Sequence, residues 1–366
     1  MERILYLTSA FCAVSEDGRL TEYIPTCGTH GAGDILIGKV DRMMSGMGCA
    51  FVNIGRKKDG FLPMHENSAT FTDKDFRSGE PVIVQIKKEE TGEKGAFLTR
   101  DVTLADEHVI LMPKNRHVGV SSRITDEEIR NRLKTAGERI AKGRFGLVLR
   151  STSSDIPESV LQQETELLFR KWTDAVQPDS ITNNAGYPIL HENSVEEEMI
   201  RDYSGRGIKE IIRDTELNAD MKRQLYAAKE RRIRLHNGGN IVIDRCEALT
   251  VIDVNTASAA AGKNKRETVM KTNMEACEEI ATQIRLRNIS GIIIIDMIDL
   301  DERDDREKIL DHLRTCFDAD RTKTVVHGIT ELGLIEMTRK RTRPELTEML
   351  EDIAGQKNMQ HIWDGE

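Results

Sequence analysis

Two aspartates close apolar, β-branched runs: Asp253 in ALTVIDVN and Asp296 in GIIIIDMIDL. A carboxylate at the end of a buried strand sits where the sheet meets solvent, yet rigid backbone holds it. Two of them on neighbouring strands can share one hard divalent cation. Magnesium accepts a few carboxylate oxygens, keeps several waters and commonly completes its shell with substrate phosphate. Asn255 follows Asp253 at i+2, on the same side of a strand, where an amide can orient a carboxylate or a bound water. Asp299 and Asp301 lie one step beyond Asp296, as spare ligands or helix caps. Lys263, Lys265 and Arg266 in the intervening TASAAAGKNKRE could meet a phosphodiester. A lone aspartate at a strand end is more often a cap or turn former. Here one helix separates the two, which would set their strands side by side, and the residues alone support a metal-dependent phosphodiesterase.

At 366 residues the chain is long enough for two or three domains with a real core. Charged residues make up 31%, hydrophobic residues 38% and aromatic residues only 4%, a globular, soluble composition. The six cysteines are dispersed with no CxxC pair, so neither a disulfide framework nor a compact zinc site is indicated, and reduced thiols in a cytoplasmic protein are expected. No apolar run approaches the roughly 20 residues of a membrane helix. MERILYLTSAF is too short and too acidic for a signal peptide, so export is not expected. The net charge of −9 argues weakly against non-specific nucleic-acid binding, but the basic residues are clustered.

The elements that must position these groups follow from periodicity. RILYLTSAFCAVSEDGRLTEYIP reads as a strand, a turn at Asp17-Gly18 and a second strand. ILIGKVDRMM, GCAFVNIG, DGFLPM, PVIVQIKKEE and GAFLTRDV then read as five short strands with glycine-bearing turns, which predicts a small closed barrel such as an OB-fold. Phe51 and Phe61 flank a turn carrying Arg56, Lys57 and Lys58. Aromatics beside cations suit single-stranded nucleic acid, and equally suit core rings beside a solvated turn.

Beyond Val109, VILMP reads as a strand, KNRHVGVSSRIT as a basic loop, and TDEEIRNRLKTAGERIA as a helix opened by a Thr125/Glu128 capping box. GLVLRSTSS is a strand running into a loop headed by Arg150 and Ser151, a candidate phosphate receptor or an ordinary cap. A helix over about 157–176 follows, then a less legible middle: a short helix, a turn at 205–207, a strand ending near Asp214 and a charged helix over about 218–234. HNGGNIVIDRCEALTVIDVN reads as two antiparallel strands turning at Arg245-Cys246-Glu247. A helix over about 267–287, the Asp296 strand, a helix over about 303–317, the strand KTVVHGIT, the basic LGLIEMTRKRTRP and a short acidic tail complete the chain.

Taken together, ALTVIDVNTASAA, IRLRNISGIIIIDMIDL and GLIEMTRKRTRP resemble the catalytic region of the RNase E/G family of bacterial endoribonucleases. GDILIGKVDRMMSGMGCAFVNIGRKKDGFLPM is similar to that family's OB-fold RNA-binding domain of the ribosomal S1 type. The resemblance implies an α+β multidomain fold. An RNase H-like subdomain (1–34 and 178–228) would hold an inserted S1-like OB barrel (35–100) and a 5′-sensor subdomain (101–177). A DNase I-like α/β catalytic subdomain (229–343) and a C-terminal tail (344–366) would follow. It further implies that Asp253 and Asp296 ligate a catalytic Mg2+ and that Asn255 orients them. Phe51, Phe61 and Lys94 would contact RNA, while Arg150 and Ser151, with Lys323, would sense a 5′-monophosphate.

The implied activity is magnesium-dependent endonucleolytic cleavage of single-stranded RNA, from rRNA precursors or mRNA, to 5′-phosphate and 3′-hydroxyl products. A catalytically weak RNA-binding protein on the same scaffold is the alternative, and a deoxyribonuclease or other phosphodiesterase is a second one. Where the family usually carries a CPxCxG zinc-link, this chain has ELTEMLEDIAGQ. No zinc is therefore expected, and any homo-oligomer is expected to form by other contacts. Lys323 replaces the sensor's other arginine, keeping charge but losing the planar fork. Thr330-Glu331-Leu332 stands where the family tends to have arginine and phenylalanine, and a weaker 5′-end preference is expected.

Overall fold

A computed structural model describes residues 2–26, 31–64, 76–90, 94–177, 189–256, 265–300 and 302–357. The chain divides into two compact units, Thr29–Gly205 and Met1–Gly28 together with Arg206–Glu366. Both mix helices with sheet, so the fold is α+β with several sheets.

In Thr29–Gly205, the strands Ile35–Met44, Cys49–Asn53, Gly60–Pro63, Phe97–Thr99 and Pro81–Lys88 neighbour one another in that order. Pro81–Lys88 pairs back onto Ile35–Met44, which closes the expected five-stranded, OB-like barrel. Alternation drives closure: Val40, Val52, Leu62, Val84 and Leu98 point inward and are buried. A Cβ on Gly95 would lie 2.0 Å from the Asp59 carbonyl oxygen, so glycine is required where the chain after Lys94 crosses that turn.

A second sheet in this unit runs Val118–Val120, Gly146–Leu149, Val109–Met112, Leu104–Ala105. Helices Glu127–Ala141 and Glu158–Ala175 pack on it through Leu133, Leu161 and Leu168, against Leu111 and Leu147. Two details depart from the pattern reading. The segment expected as a basic loop contains the strand Val118–Val120, parallel to Gly146–Leu149, too short to show a period. The first helix is capped by Asp126, whose Oδ1 accepts from Ile129 N–H at 3.0 Å, in place of the expected Thr125/Glu128 box.

Among the described residues, the other unit holds two sheets. One runs Ile208–Arg213, Arg3–Leu7, Phe11–Glu16, Arg19–Pro25, with the first two strands parallel. The stretch expected as one strand up to Glu16 is therefore two, reversed at Thr8, whose hydroxyl donates to Phe11 O (2.8 Å) and accepts from Phe11 N–H (3.0 Å). The turn at Asp17-Gly18 is as expected, with positive φ of 48° and 80° suiting a two-residue hairpin loop.

The second sheet runs Arg232–Arg234, Asn240–Arg245, Leu249–Asn255, Gly291–Asp296, Ile335–Arg339, Thr324–Ile329. The charged helix expected over about 218–234 stops at Ala227, because Arg232–Arg234 is taken by antiparallel pairing with Asn240–Arg245. Helices Lys265–Leu286 and Arg303–Cys316 share a core with this sheet, in which Ile252, Val254, Ile293 and Ile295 meet Ile280, Ile284 and Ile309. Each such burial contributes about 1.5–3 kcal/mol. The segment expected as an acidic tail begins with the helix Leu346–Lys357, seated by Leu346 and Leu350 among Tyr6, Leu20 and Leu286.

Candidate functional site

Along Leu249–Asn255 the side chains alternate, with Thr250, Ile252 and Val254 buried and Val251, Asp253 and Asn255 on the opposite face. The strand Gly291–Asp296 lies parallel beside it, joined through the helix Lys265–Leu286, and the register sets Asp253 directly opposite Asp296. Both aspartates are exposed. Adjacent strands stand about 4.8 Å apart, so two like charges face each other at short range. Burial first, then the charges of Asp253 and Asp299, push the Asp296 carboxyl above its ordinary range. Asn255 Nδ2 donates to Asp253 Oδ2 at 2.7 Å, fixing that carboxylate from the same face.

The donor set is two carboxylates and an amide, all on one solvent-facing strand pair. Such oxygen donors suit magnesium, which is commonly held by one or two carboxylates and keeps waters. A cation there would also relieve the repulsion that adds to the effect of burial on Asp296. Among the described residues no group of three His, Cys, Asp or Glu side chains is placed to hold a metal, so the fit is to a cation taking two protein carboxylates.

One supporting residue escaped the sequence reading. Asn273, fully buried on the helix Lys265–Leu286, donates its Nδ2 to Ile298 O (2.9 Å) and accepts from Ile298 N–H at Oδ1 (3.1 Å). Arg306 Nε donates to Leu300 O at 2.6 Å. Together they hold the chain leaving Asp296, beside a cleft of about 140 Å³ that Asp299, Arg306 and Glu331 help to line. The only hint in the sequence is an amide amid the apolar positions of that helix.

Of the basic residues expected to meet a phosphodiester, Arg266 is bonded to Asp305 through Nε at 2.6 Å. Lys263, the side chain of Lys265, and Asp301 lie outside the described residues. In the basic segment near residue 340, Arg339 is buried against Asp320 (2.7 Å) and serves the fold.

On the barrel, Phe51 and Phe61 face each other across paired strands, rings edge-to-face at 6.2 Å and 81°. Lys94 is exposed just before Gly95. Sequence reasoning missed a third ring, Phe97, which stacks on Phe61 at 5.6 Å and 28°.

Arg150 and Ser151 open a short 3-10 turn, with Ser151 exposed. The Arg150 guanidinium donates to Asp106 O (2.7 Å), Glu107 O (3.2 Å) and Asp202 Oδ1 (3.0 Å). A phosphate arriving there would compete with Asp202. Lys323 is exposed at the start of Thr324–Ile329, in the other unit from Arg150.

Comparison with known proteins bears on the family of the whole chain. The model of the Ribonuclease E/G family matches residues 103–226 and 217–342. Ribonuclease G of Haemophilus influenzae is 36% identical, the alignment covering 93% of this chain and 79% of that protein. Ribonuclease G of Escherichia coli strain K12 is 33% identical over 87% of this chain and 74% of its own length. Ribonuclease E of Nostoc sp. is 32% identical over 93% of this chain and 56% of its own length. With an aspartate pair in register on one sheet, a closed OB-like barrel and matches of this extent, the chain belongs to the ribonuclease E/G family.

Proposed function

We propose that this chain is a magnesium-dependent endoribonuclease that cleaves single-stranded RNA to 5′-phosphate and 3′-hydroxyl ends. The observation that carries this reading is the Asp253–Asp296 register, with Asn255 bonded to Asp253. The names of the relatives, ribonuclease G and ribonuclease E, point to RNA. Asp253 and Asp296 would hold the cation, which when bound supplies Lewis-acid stabilisation of the developing phosphoryl charge and a more acidic water. Asn255 keeps Asp253 in one orientation. Asn273 holds the backbone at Ile298 and so positions the segment leaving Asp296.

The barrel, read as an S1-type domain over 35–100, grips the strand through Phe51, Phe61 and Lys94. The segment 101–177 is read as a 5′-sensor in which Arg150 and Ser151 receive a terminal phosphate. The sheet of Ile208–Arg213, Arg3–Leu7, Phe11–Glu16 and Arg19–Pro25 is read as part of an RNase H-like subdomain, and 229–343 as DNase I-like. Among the described residues no helix is long and apolar enough to cross a membrane.

The test is cleavage of a fluorescent single-stranded RNA, and of the same sequence as DNA, by wild type, Asp253→Asn and Asp296→Asn. Each substitution is expected to slow RNA cleavage by about 100-fold or more, with DNA left uncut. Cleavage by either variant at the wild-type rate would sink the site. RNA bound but never cut at any divalent-metal concentration would leave only a binding protein.

A further inference from the structure

Five residues on five neighbouring strands of the barrel stand in one unbroken row. Arg42 is registered with Phe51, Phe51 with Phe61, Phe61 with Phe97, and Phe97 with Lys88. Residues paired across adjacent strands share a face, so cation, three rings and cation line one side of the barrel wall. Ring geometry agrees. Phe51 and Phe61 meet edge to face at 6.2 Å, and Phe61 and Phe97 lie nearly parallel at 5.6 Å. The Arg42 guanidinium carbon lies 5.0 Å from the Phe51 centroid, and Lys88 Nζ lies 5.9 Å from that of Phe97. A hydrogen bond from Phe61 N–H to Ala96 O at 2.8 Å locks the parallel pair of strands that carries the last two rings.

This row does not belong to the barrel's packing. The interior is filled by Val40, Val52, Leu62, Val84 and Leu98, while Phe97 is 37% exposed, although a ring of that size ordinarily gains by burial. A run of π faces with a positive charge at each end is the chemistry that takes unstacked bases and their flanking phosphates.

We propose that Arg42, Phe51, Phe61, Phe97 and Lys88 form a single-stranded RNA rail in which Phe97 adds a third stacking position and Lys88 the phosphate contact at its far end. The inference rests on the RNA-binding reading of the barrel and extends it to residues outside the Phe51, Phe61 and Lys94 set. Because the rings are registered across strands, bound RNA runs across the strands of the barrel.

The experiment measures the affinity of the full chain for a fluorescent A/U-rich single-stranded RNA decamer in EDTA, by anisotropy over a salt series. Wild type is compared with Phe51→Ala, Phe97→Ala, Phe97→Tyr and Lys88→Gln, each checked for an unchanged melting curve. Phe97→Ala is expected to weaken binding about tenfold, as for loss of one stacked base, and Phe97→Tyr to restore it. Lys88→Gln is expected to lower the slope of log affinity against log salt by about one phosphate contact. Binding weakened by Phe51→Ala but untouched by Phe97→Ala overturns the rail while the RNA reading stands. No binding of RNA by wild type overturns both. Tight RNA binding indifferent to all three ring substitutions would assign the face to a protein partner and overturn the rail.

Discussion

Asp253→Asn should invert the stability order of wild type and variant according to whether magnesium is present. The substitution keeps shape, and an amide oxygen at position 253 can still accept from Asn255 Nδ2, which now bonds Asp253 at 2.7 Å. It removes one of two charges on directly opposed strand positions. At a strand spacing of about 4.8 Å, two unit charges in water repel by about 0.9 kcal/mol, and screening at physiological salt roughly halves this. The bond from Asn255 also loses its charge assistance, so without metal the variant should gain between about zero and 0.5 kcal/mol. Magnesium at ten times its dissociation constant stabilises a native state that binds it by about 1.4 kcal/mol. Wild type should gain that and the variant little, leaving wild type ahead by about 1 kcal/mol. Because the chain has two compact units, a single melting temperature mixes their responses. Amide hydrogen exchange in Leu249–Asn255 and Gly291–Asp296 reads the relevant sheet directly. Wild-type exchange indifferent to magnesium, or equal protection of both proteins by it, would refute the reasoning.

Asn273→Ala leaves the N–H and C=O of Ile298 unsatisfied and should cost about 2–5 kcal/mol in urea unfolding. Asn273→Gln should recover stability before cleavage, since the longer side chain moves the segment leaving Asp296. Burial would raise the Asp320 carboxyl, but Arg339, Thr322 N–H and Thr324 Oγ1 outweigh it and hold it below its ordinary range. Its stabilisation is therefore complete above the unfolded pKa of about 3.9 and is lost as pH falls through the lower folded value. Asp320→Asn should flatten that acid limb while costing about 3 kcal/mol at pH 7, through the buried Arg339 it leaves unpaired; both follow from denaturation series across pH. Asp202→Asn frees Arg150 from its carboxylate and should raise the rate ratio of 5′-monophosphate to 5′-hydroxyl RNA about fivefold, for about 1 kcal/mol of competition removed. An unchanged ratio in both Asp202→Asn and Arg150→Ala would take end sensing away from this residue.

Much of this was legible because it rests on periodicity. The barrel strands, the Asp17-Gly18 turn and the two aspartate strands announce themselves by alternation or by runs of isoleucine, and the intervening helix implied the parallel pair. Val118–Val120 and Arg232–Arg234 did not, since three residues carry no period and only pairing makes them strands. Phe97 sits in a strand of three residues, and its place beside Phe61 exists only once the barrel closes. The role of Asn273, and the partners of Arg150, were hidden for another reason. These two residues bond backbone groups and a carboxylate 25 to 52 residues away, which no local pattern encodes.

The aspartate pair also explains why the core behind it is so apolar. Two carboxylates held face to face are a local conflict, and such conflicts in an otherwise consistent fold mark function. Left exposed, the repulsion costs only about half a kcal/mol, against about 1.5–3 kcal/mol gained for each of Ile252, Val254, Ile293 and Ile295 buried on the other face of the same strands. Burying the pair would multiply the repulsion and bar both cation and phosphodiester. A strand pair apolar on its buried face, with a carboxylate at the end of each strand on the other, meets both demands, holding the carboxylates in register while leaving them open to solvent, as the proposed binding of metal and RNA requires.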